Sequence, residues 1–207
     1  LLTWKEIKHP VRDDPQGTWK SVIKLCKQCT RESKLNLSDL MSIGVAFPSP
    51  VDPSHPETLS KSIIPDWDGF SGIDHLQSYY DVPIFVDNDA NLGALAEHWW
   101  GLGRGIDDLI YIKIANGIGA GYILGGQIYR GAKGIAGEMS HMSIKINGNP
   151  CGCGLRGCLA TYITTWALEL RARELLPLYS RSRLNSTYPN IRLIESAALA
   201  GDELALR

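Results

Sequence analysis

No stretch of the chain approaches the ~20 consecutive apolar residues that a membrane-spanning helix needs. The first residues also lack the basic-then-apolar order of a secretion signal. There is no surplus of charge: 21 Lys and Arg stand against 22 Asp and Glu, a net of −1, with no run of like sign. That balance offers no strong attraction to nucleic acid or to an anionic membrane. Internal repeats and low-complexity tracts are missing as well. Cysteine is scarce, five in 207 residues, and three of the five fall together, so pairing them would leave one over. A chain of this length builds a core without covalent staples. What remains is a soluble globular protein, 44% hydrophobic and 21% charged, expected in the reducing cytoplasm and long enough for one large domain or parts of two. A start at Leu1 rather than Met, and an end inside a helical-looking run from Ile194 to Arg207, read as a piece of a longer protein.

The clustered cysteines are the most informative feature. His141, Cys151, Cys153 and Cys158 form the run H-x9-C-x-C-x4-C, interleaved with Gly148, Gly152, Gly154 and Gly157. Three thiolates and one imidazole are a recurring ligand set for closed, tetrahedral structural zinc. Four ligands on so short a stretch force tight turns, which glycine permits. Zinc is the expected occupant. Cys26-Lys27-Gln28-Cys29 has no second ligand pair near it, and its cysteines read as buried or half-buried helix residues.

Elsewhere the chain alternates strand and helix signals. Trp19 to Leu40 has helical spacing. Ser42 to Phe47 reads as a buried strand, ended by Pro48, Pro50 and Pro53, after which a polar connection carries Trp67-Asp68-Gly69. A short helix is expected near Ile73–Tyr80 and a strand over Val82–Val86. Asn88-Asp89-Ala90-Asn91 then opens a helix from Leu92 to Trp100. Polar residues at a strand's C-terminal end, beside a helix N-terminus, sit where open α/β sheets place ligand groups; helix capping would account for one of the three. Trp99 and Trp100 are expected to pack. Leu109 to Ile114 is a further strand. It runs into Asn116-Gly117-Ile118-Gly119-Ala120-Gly121, read as a hairpin turn whose N–H groups suit an anion. Leu159 to Leu178 reads as one helix and Ser180 to Asn190 as a polar loop.

Together these blocks resemble the ROK family of bacterial sugar kinases and sugar-responsive repressors. The matching stretches are Ile43–Asp52, Asn88 through Trp100, Gly117–Gly121, Gly134-Ile135-Ala136-Gly137-Glu138-Met139-Ser140-His141, and Cys151 to Leu159. The resemblance implies an α/β fold of the actin/hexokinase (ribonuclease H-like) kind, two domains closing on a cleft, incomplete in this chain. Residues 1–104 would be the remainder of the N-terminal domain. Residues 105–207 would be the first part of the C-terminal domain, with the zinc-binding loop at 141–158. The resemblance also implies that Asn88 and Asp89 contact a sugar, with Asp89 the catalytic base in a kinase. Glu138 would hold further hydroxyls, or serve as an ion-pair partner. His141 would bind zinc, alone or while also facing the sugar. Gly117, Gly119 and Gly121 would line a phosphate hairpin.

Several positions depart from the family's pattern. Ala160 stands where a sugar-binding Glu usually follows Gly-Cys-Leu. Ser140 and Ser49 replace glycines, and Ala115-Asn116-Gly117 replaces the kinases' Gly-Thr-Gly. The kinases' Asp-x-Gly-x-Thr phosphate loop is missing from the chain. These departures, together with the regulator-like Leu92–Gly101 segment, lead to the expectation of an effector-sensing portion of a ROK-type transcriptional regulator. A DNA-binding winged helix would precede it in the full protein, and a homodimer or tetramer would form. The alternative is an ATP- and Mg-dependent hexose or amino-sugar kinase with Asp89 as general base.

Overall fold

The computed structural model describes residues 1–11, 13–52, 67, 73–186 and 188–207; Pro53 and the Asp68-Gly69 part of the polar connection lie outside them. The chain divides into two compact units. The first is residues 1–111 with 121–137, and the second is residues 112–120 with 138–207.

In the first unit, α1 (Pro15–Glu32) begins four residues before its expected start. Asp14 accepts the Gly17 N–H at 2.9 Å and Pro15 occupies the first turn, a strong start signal. It stops at Glu32, and Lys34 adopts a left-handed φ of 57°. The stretch after it, expected to be helix, makes a 3-10 turn at Leu37–Asp39 instead, where Asp39 accepts the Asn36 N–H. The buried face of α1 places Trp19 in an aromatic cluster with Phe47 and Trp67, whose ring centroids lie 5.1 to 6.5 Å apart. Phe47 ends β1 (Ile43–Phe47). A short α2 (Ile73–Gln77) precedes β2 (Ile84–Asn88), which pairs with β1 in parallel from Ile43↔Ile84 to Phe47↔Asn88. Helix α3 (Asp89–Trp100) follows β2 with no intervening loop. At its end Trp99 and Trp100 meet edge to face, 5.3 Å apart, and both are exposed, contrary to the packing role expected of them.

Strands β3 (Leu109–Ile114), β4 (Ile118–Leu124) and β5 (Gln127–Tyr129) form a sheet in the order β3-β4-β5. The turn between β3 and β4 is tighter than the glycine run suggested. It closes with the Ala115 N–H on the Gly117 carbonyl, and Gly119 and Gly121 already belong to β4. A side chain on Gly121 would run into the Ala90 carbonyl and the Ala94 methyl group, so this glycine lets β4 approach α3. Gly125 and Gly126, with φ of 57° and 74°, make the two-residue turn between antiparallel β4 and β5.

In the second unit the expected long helix is broken into α4 (Ala160–Ile163) and α5 (Thr165–Leu175), capped by a 3-10 turn at Leu176–Leu178. The break is at Thr164, extended at ψ 158°, whose hydroxyl donates to the Ala160 carbonyl at 2.7 Å. A β-branched hydroxyl residue competes with the helix in this way. Helix α6 (Ile191–Leu199) ends before Gly201, whose φ of 77° turns the chain back and ends the helical run expected to reach Arg207. No helix of the described residues is long and apolar enough to cross a membrane.

The turn after α6 is held by Asp202. Its carboxylate accepts the Arg183 N–H at 2.7 Å, the Ser182 hydroxyl at 3.0 Å, and the Leu204 and Ala205 N–H groups at 3.1 and 3.2 Å. These donors, the Arg183 N–H above all, hold its acid below the usual carboxylate range against the opposing effect of burial. A depressed folded-state value means that the stabilisation is complete above the unfolded value, about pH 4, and is lost as pH falls through the folded one. We predict that Asp202→Asn costs ~1–3 kcal/mol at pH 7 and removes this acid-dependent loss. Urea midpoints of both proteins between neutral and acid pH measure it, and parallel curves would refute it.

Candidate functional site

Asp87, Asn88, Asp89 and Asn91 crowd the β2–α3 corner, and the structure gives each a different environment. The Asn88 side chain is held at both its oxygen and its nitrogen. Its Oδ1 accepts the Ala90 and Asn91 N–H groups at 2.8 and 3.3 Å, capping α3, and its Nδ2 donates to the Ser49 carbonyl at 3.1 Å. Asn91 is buried and donates to Asp87 Oδ1 at 3.0 Å. Asp89 is the first residue of α3, where the helix dipole favours a negative charge.

Beneath the corner lies Asp87, a buried carboxylate. Its Oδ1 also accepts the Asn88 N–H at 2.8 Å. Its Oδ2 takes both Nε and a terminal nitrogen of Arg130, at 2.9 and 2.7 Å. The Arg130 carbonyl accepts the Ala136 N–H, folding the glycine-bearing loop that follows β5. Gly134 in that loop, at φ 67°, lies so close to the Val51 carbonyl that a side chain would collide. Sequence reasoning passed over Asp87 and Arg130. An acid at the end of an otherwise apolar strand, Ile84-Phe85-Val86, was the available signal, since a buried charge requires a partner.

The second unit carries the thiol cluster. Ligand atoms of His141, Cys151, Cys153 and Cys158 all lie within 4.8 Å of one another. Two separations are diagnostic: Cys153 Sγ to Cys158 Sγ is 3.7 Å, and Cys151 Sγ to His141 Nδ1 is 3.6 Å. A tetrahedron with metal–sulfur and metal–nitrogen bonds of zinc length has edges of about 3.8 Å (S···S) and about 3.6 Å (S···N). The donor set and its spacing therefore fit a tetrahedral ion. The contact is through Nδ1, so Nε2 of His141 is left on the ring's far side.

The backbone shapes this cradle without a regular element. Gly154 and Gly157 have φ of 89° and 71°, and a side chain on Gly157 would strike the Lys145 carbonyl. Bonds from Cys151 N–H to Leu155 O, Gly157 N–H to Asn149 O and Leu159 N–H to Met142 O close the loop. Burial pushes the Cys158 thiol up to about 12, helped by the neighbouring sulfurs, whereas the Leu155 backbone N–H draws Cys153 down. His141 closes a 3-10 turn, Met139–His141, that Glu138 caps; the His141 N–H bonds the Glu138 carbonyl at 3.2 Å. Glu138 thus enters this turn three residues ahead of His141, a candidate metal ligand. Gly117 is open to solvent at the β3–β4 turn, and Ala160 is the first residue of α4.

The Asp87–Arg130 pair makes a testable demand. Arg130→Met strands a buried carboxylate at a cost of about 3 kcal/mol. Adding Asp87→Asn recovers part of that cost, and urea unfolding of the single and double variants measures the coupling. Strictly additive effects would show that the two charges do not depend on each other.

With this geometry established, comparison with known proteins gives a consistent answer. A profile of the ROK family matches residues 4–206. The chain is 32% identical over 171 residues to the xylose repressor of Bacillus subtilis, covering 82% of this chain and 44% of that protein. It is 30% identical over 203 residues to the DNA-binding transcriptional dual regulator NagC of Escherichia coli, covering 97% of this chain and 49% of that one. Among solved structures it superposes on a ROK family glucokinase from Streptomyces griseus in complex with glucose and AMPPNP. The TM-score is 0.78 at 28% identity, over 92% of this chain and 62% of that one. The chain thus spans about half the length of the regulators it matches, and its relatives include both repressors and kinases. Its fold is the actin/hexokinase-like fold of these relatives, and the chain belongs to the ROK family.

Proposed function

We propose that the chain is the sugar-sensing portion of a ROK-type transcriptional regulator. The observation that carries this reading is the pairing of a well-built ligand corner with a weakened phosphoryl-transfer apparatus. Asn88 and Asp89 stand on a corner locked by Asp87 and Arg130, and Glu138 and His141 share one short turn. Asn116 stands in place of the kinases' hairpin Thr, so the hydroxyl offered to phosphate there is gone. Ala160 removes a carboxylate from the sugar's partners, and each unmade bond of that kind costs ~1–3 kcal/mol. A sensor needs only differential sugar affinity between two states, whereas a kinase needs every phosphate contact in place. Likeness to the xylose repressor and NagC agrees with this reading.

Sugar contacts fall to Asn88, Asp89, Glu138 and His141. Asn88 reaches a sugar only with its remaining amide hydrogen, since its other bonds hold α3 and the Ser49 loop. Asp89 and Glu138 supply acceptors for hydroxyls. With Nδ1 on the metal side, His141 Nε2 carries its proton outward and donates. His141, Cys151, Cys153 and Cys158 would hold zinc. When bound, the ion supplies rigidity to the loop after Glu138 rather than reaction chemistry.

The second reading is a sugar kinase, favoured by the superposition on the Streptomyces griseus glucokinase and by Asp89 at the start of α3. There Asp89 would take the proton of the attacking hydroxyl.

Calorimetry of the full-length protein against a panel of pentoses, hexoses and amino sugars, with ADP release followed in parallel, separates the two. We expect saturable binding of one sugar class without turnover. ADP release that Asp89→Asn abolishes would overturn the regulator reading.

The metal assignment has its own test. We expect about one zinc ion per chain by elemental analysis. Cys153→Ser should lower the thermal midpoint by roughly 6–12 °C, corresponding to a loss of about 3 kcal/mol. A metal-free protein with an unchanged midpoint would refute it.

A further inference from the structure

All four cations of α1, Lys20, Lys24, Lys27 and Arg31, fall on one line of the helix. At 100° per residue they occupy an arc of about 60°, and the row runs about 16 Å along the axis. Each is exposed. No ion pair holds Lys20, Lys24 or Arg31 among the described residues, and Lys27 lies 4.4 Å above the Tyr79 ring. The one acid of α1, Glu32, sits about 120° round the helix from Lys20 and is held by Lys5 at 2.7 Å. The cations border a groove of ≈ 510 Å³, with Gln28 and Tyr79 beside them and no acid in its described lining. A near-neutral protein has thus gathered a continuous positive row on an 18-residue helix of about five turns.

We propose that this row is a docking surface for the phosphate backbone of duplex DNA. Charge complementarity is the first argument. One strand presents a charge every 3.4 Å of axis, so a row of about 16 Å faces about five phosphates. Composition is the second. Three of the four cations are lysines, which are depleted in protein–protein interfaces, and the row offers no deep aromatic or arginine anchor of the kind those interfaces depend on. A membrane surface is disfavoured as well, because the apolar face of α1, Trp19 and Ile23, is spent on the core and leaves nothing to insert. The contacts are to backbone only, so they add affinity and orientation without reading sequence.

The partner's identity rests on the regulator reading, and one experiment separates the two. Full-length protein is titrated with a fluorescent 30-base-pair duplex between 50 and 200 mM KCl, alongside the triple variant Lys20→Gln/Lys24→Gln/Arg31→Gln. These positions are exposed, and circular dichroism checks the variant's fold. Removing three phosphate contacts should make the slope of log K against log salt shallower by about 2.7 for each engaged protomer. It should also weaken binding at 50 mM at least tenfold. An unchanged slope with DNA still bound overturns this inference alone. No binding by the wild-type protein overturns the regulator reading with it. Loss of binding to labelled polyglutamate in the variant, with DNA binding unchanged, overturns DNA as the partner and identifies an acidic polypeptide.

Discussion

The Asp87 carboxylate is the constraint on which the β2–α3 corner depends. It is buried at the end of a parallel strand, where an unpaired charge would cost several kcal/mol, and every bond it makes fixes something else. One oxygen orients the last peptide of β2 and draws Asn91 inward; the other secures Arg130 and, through its carbonyl, the glycine loop that follows β5. Asn88 is therefore presented to the helix end and to the Ser49 loop in a single orientation. Asp89 inherits a fixed place at the positive end of α3. A side chain held this way has little freedom left to lose, which is what a preorganised binding site requires.

The thiol loop solves a different problem. Residues 142–159 contain almost no regular structure, two glycines in left-handed conformations, Gly154 and Gly157, and exposed apolar residues such as Ile146 and Leu155. A segment of that kind buries too little apolar surface to order itself by packing. Four candidate ligands converge there with their donor atoms within 4.8 Å of one another, and a bound ion would hold the loop in place of a core; Cys158 is the one of them fully withdrawn from water. With an ion in place, the loop would brace the turn that carries Glu138.

The sequence disclosed elements whose cause is local and hid those whose cause is distant. β1, β2 and β3 were legible because short apolar runs end at proline, aspartate or glycine. The convergence of His141, Cys151, Cys153 and Cys158 was legible because their spacing is itself the constraint. The Asp14 cap was missed although Asp-Pro is a strong start signal, and the break at Thr164 was missed because apolar spacing continues across it. Gly121 was read as a possible phosphate contact, yet it also answers to helix α3, packing that no local pattern encodes. The three polar residues after β2 looked like too many for capping alone. The structure divides them: Asn88 caps, Asn91 serves the buried network, and Asp89 stands at the helix start. Arg130 was invisible because its partner is 43 residues away.

Net charge hides arrangement for the same reason, because it sums over positions that the fold separates. α1 has one face committed to the Trp19–Phe47–Trp67 cluster and so cannot rotate. Anchoring that face fixes the direction of every other side chain on the helix. Four cations spaced at intervals of four, three and four residues then cease to be a composition and become a surface with a direction. An acid inserted at any of these positions would leave the net charge small but break the continuity of the row. The same reasoning covers the whole first unit. An apolar cluster sets the orientation of α1, and a buried carboxylate sets the orientation of α3. The groups each helix displays to a partner are decided by what it buries.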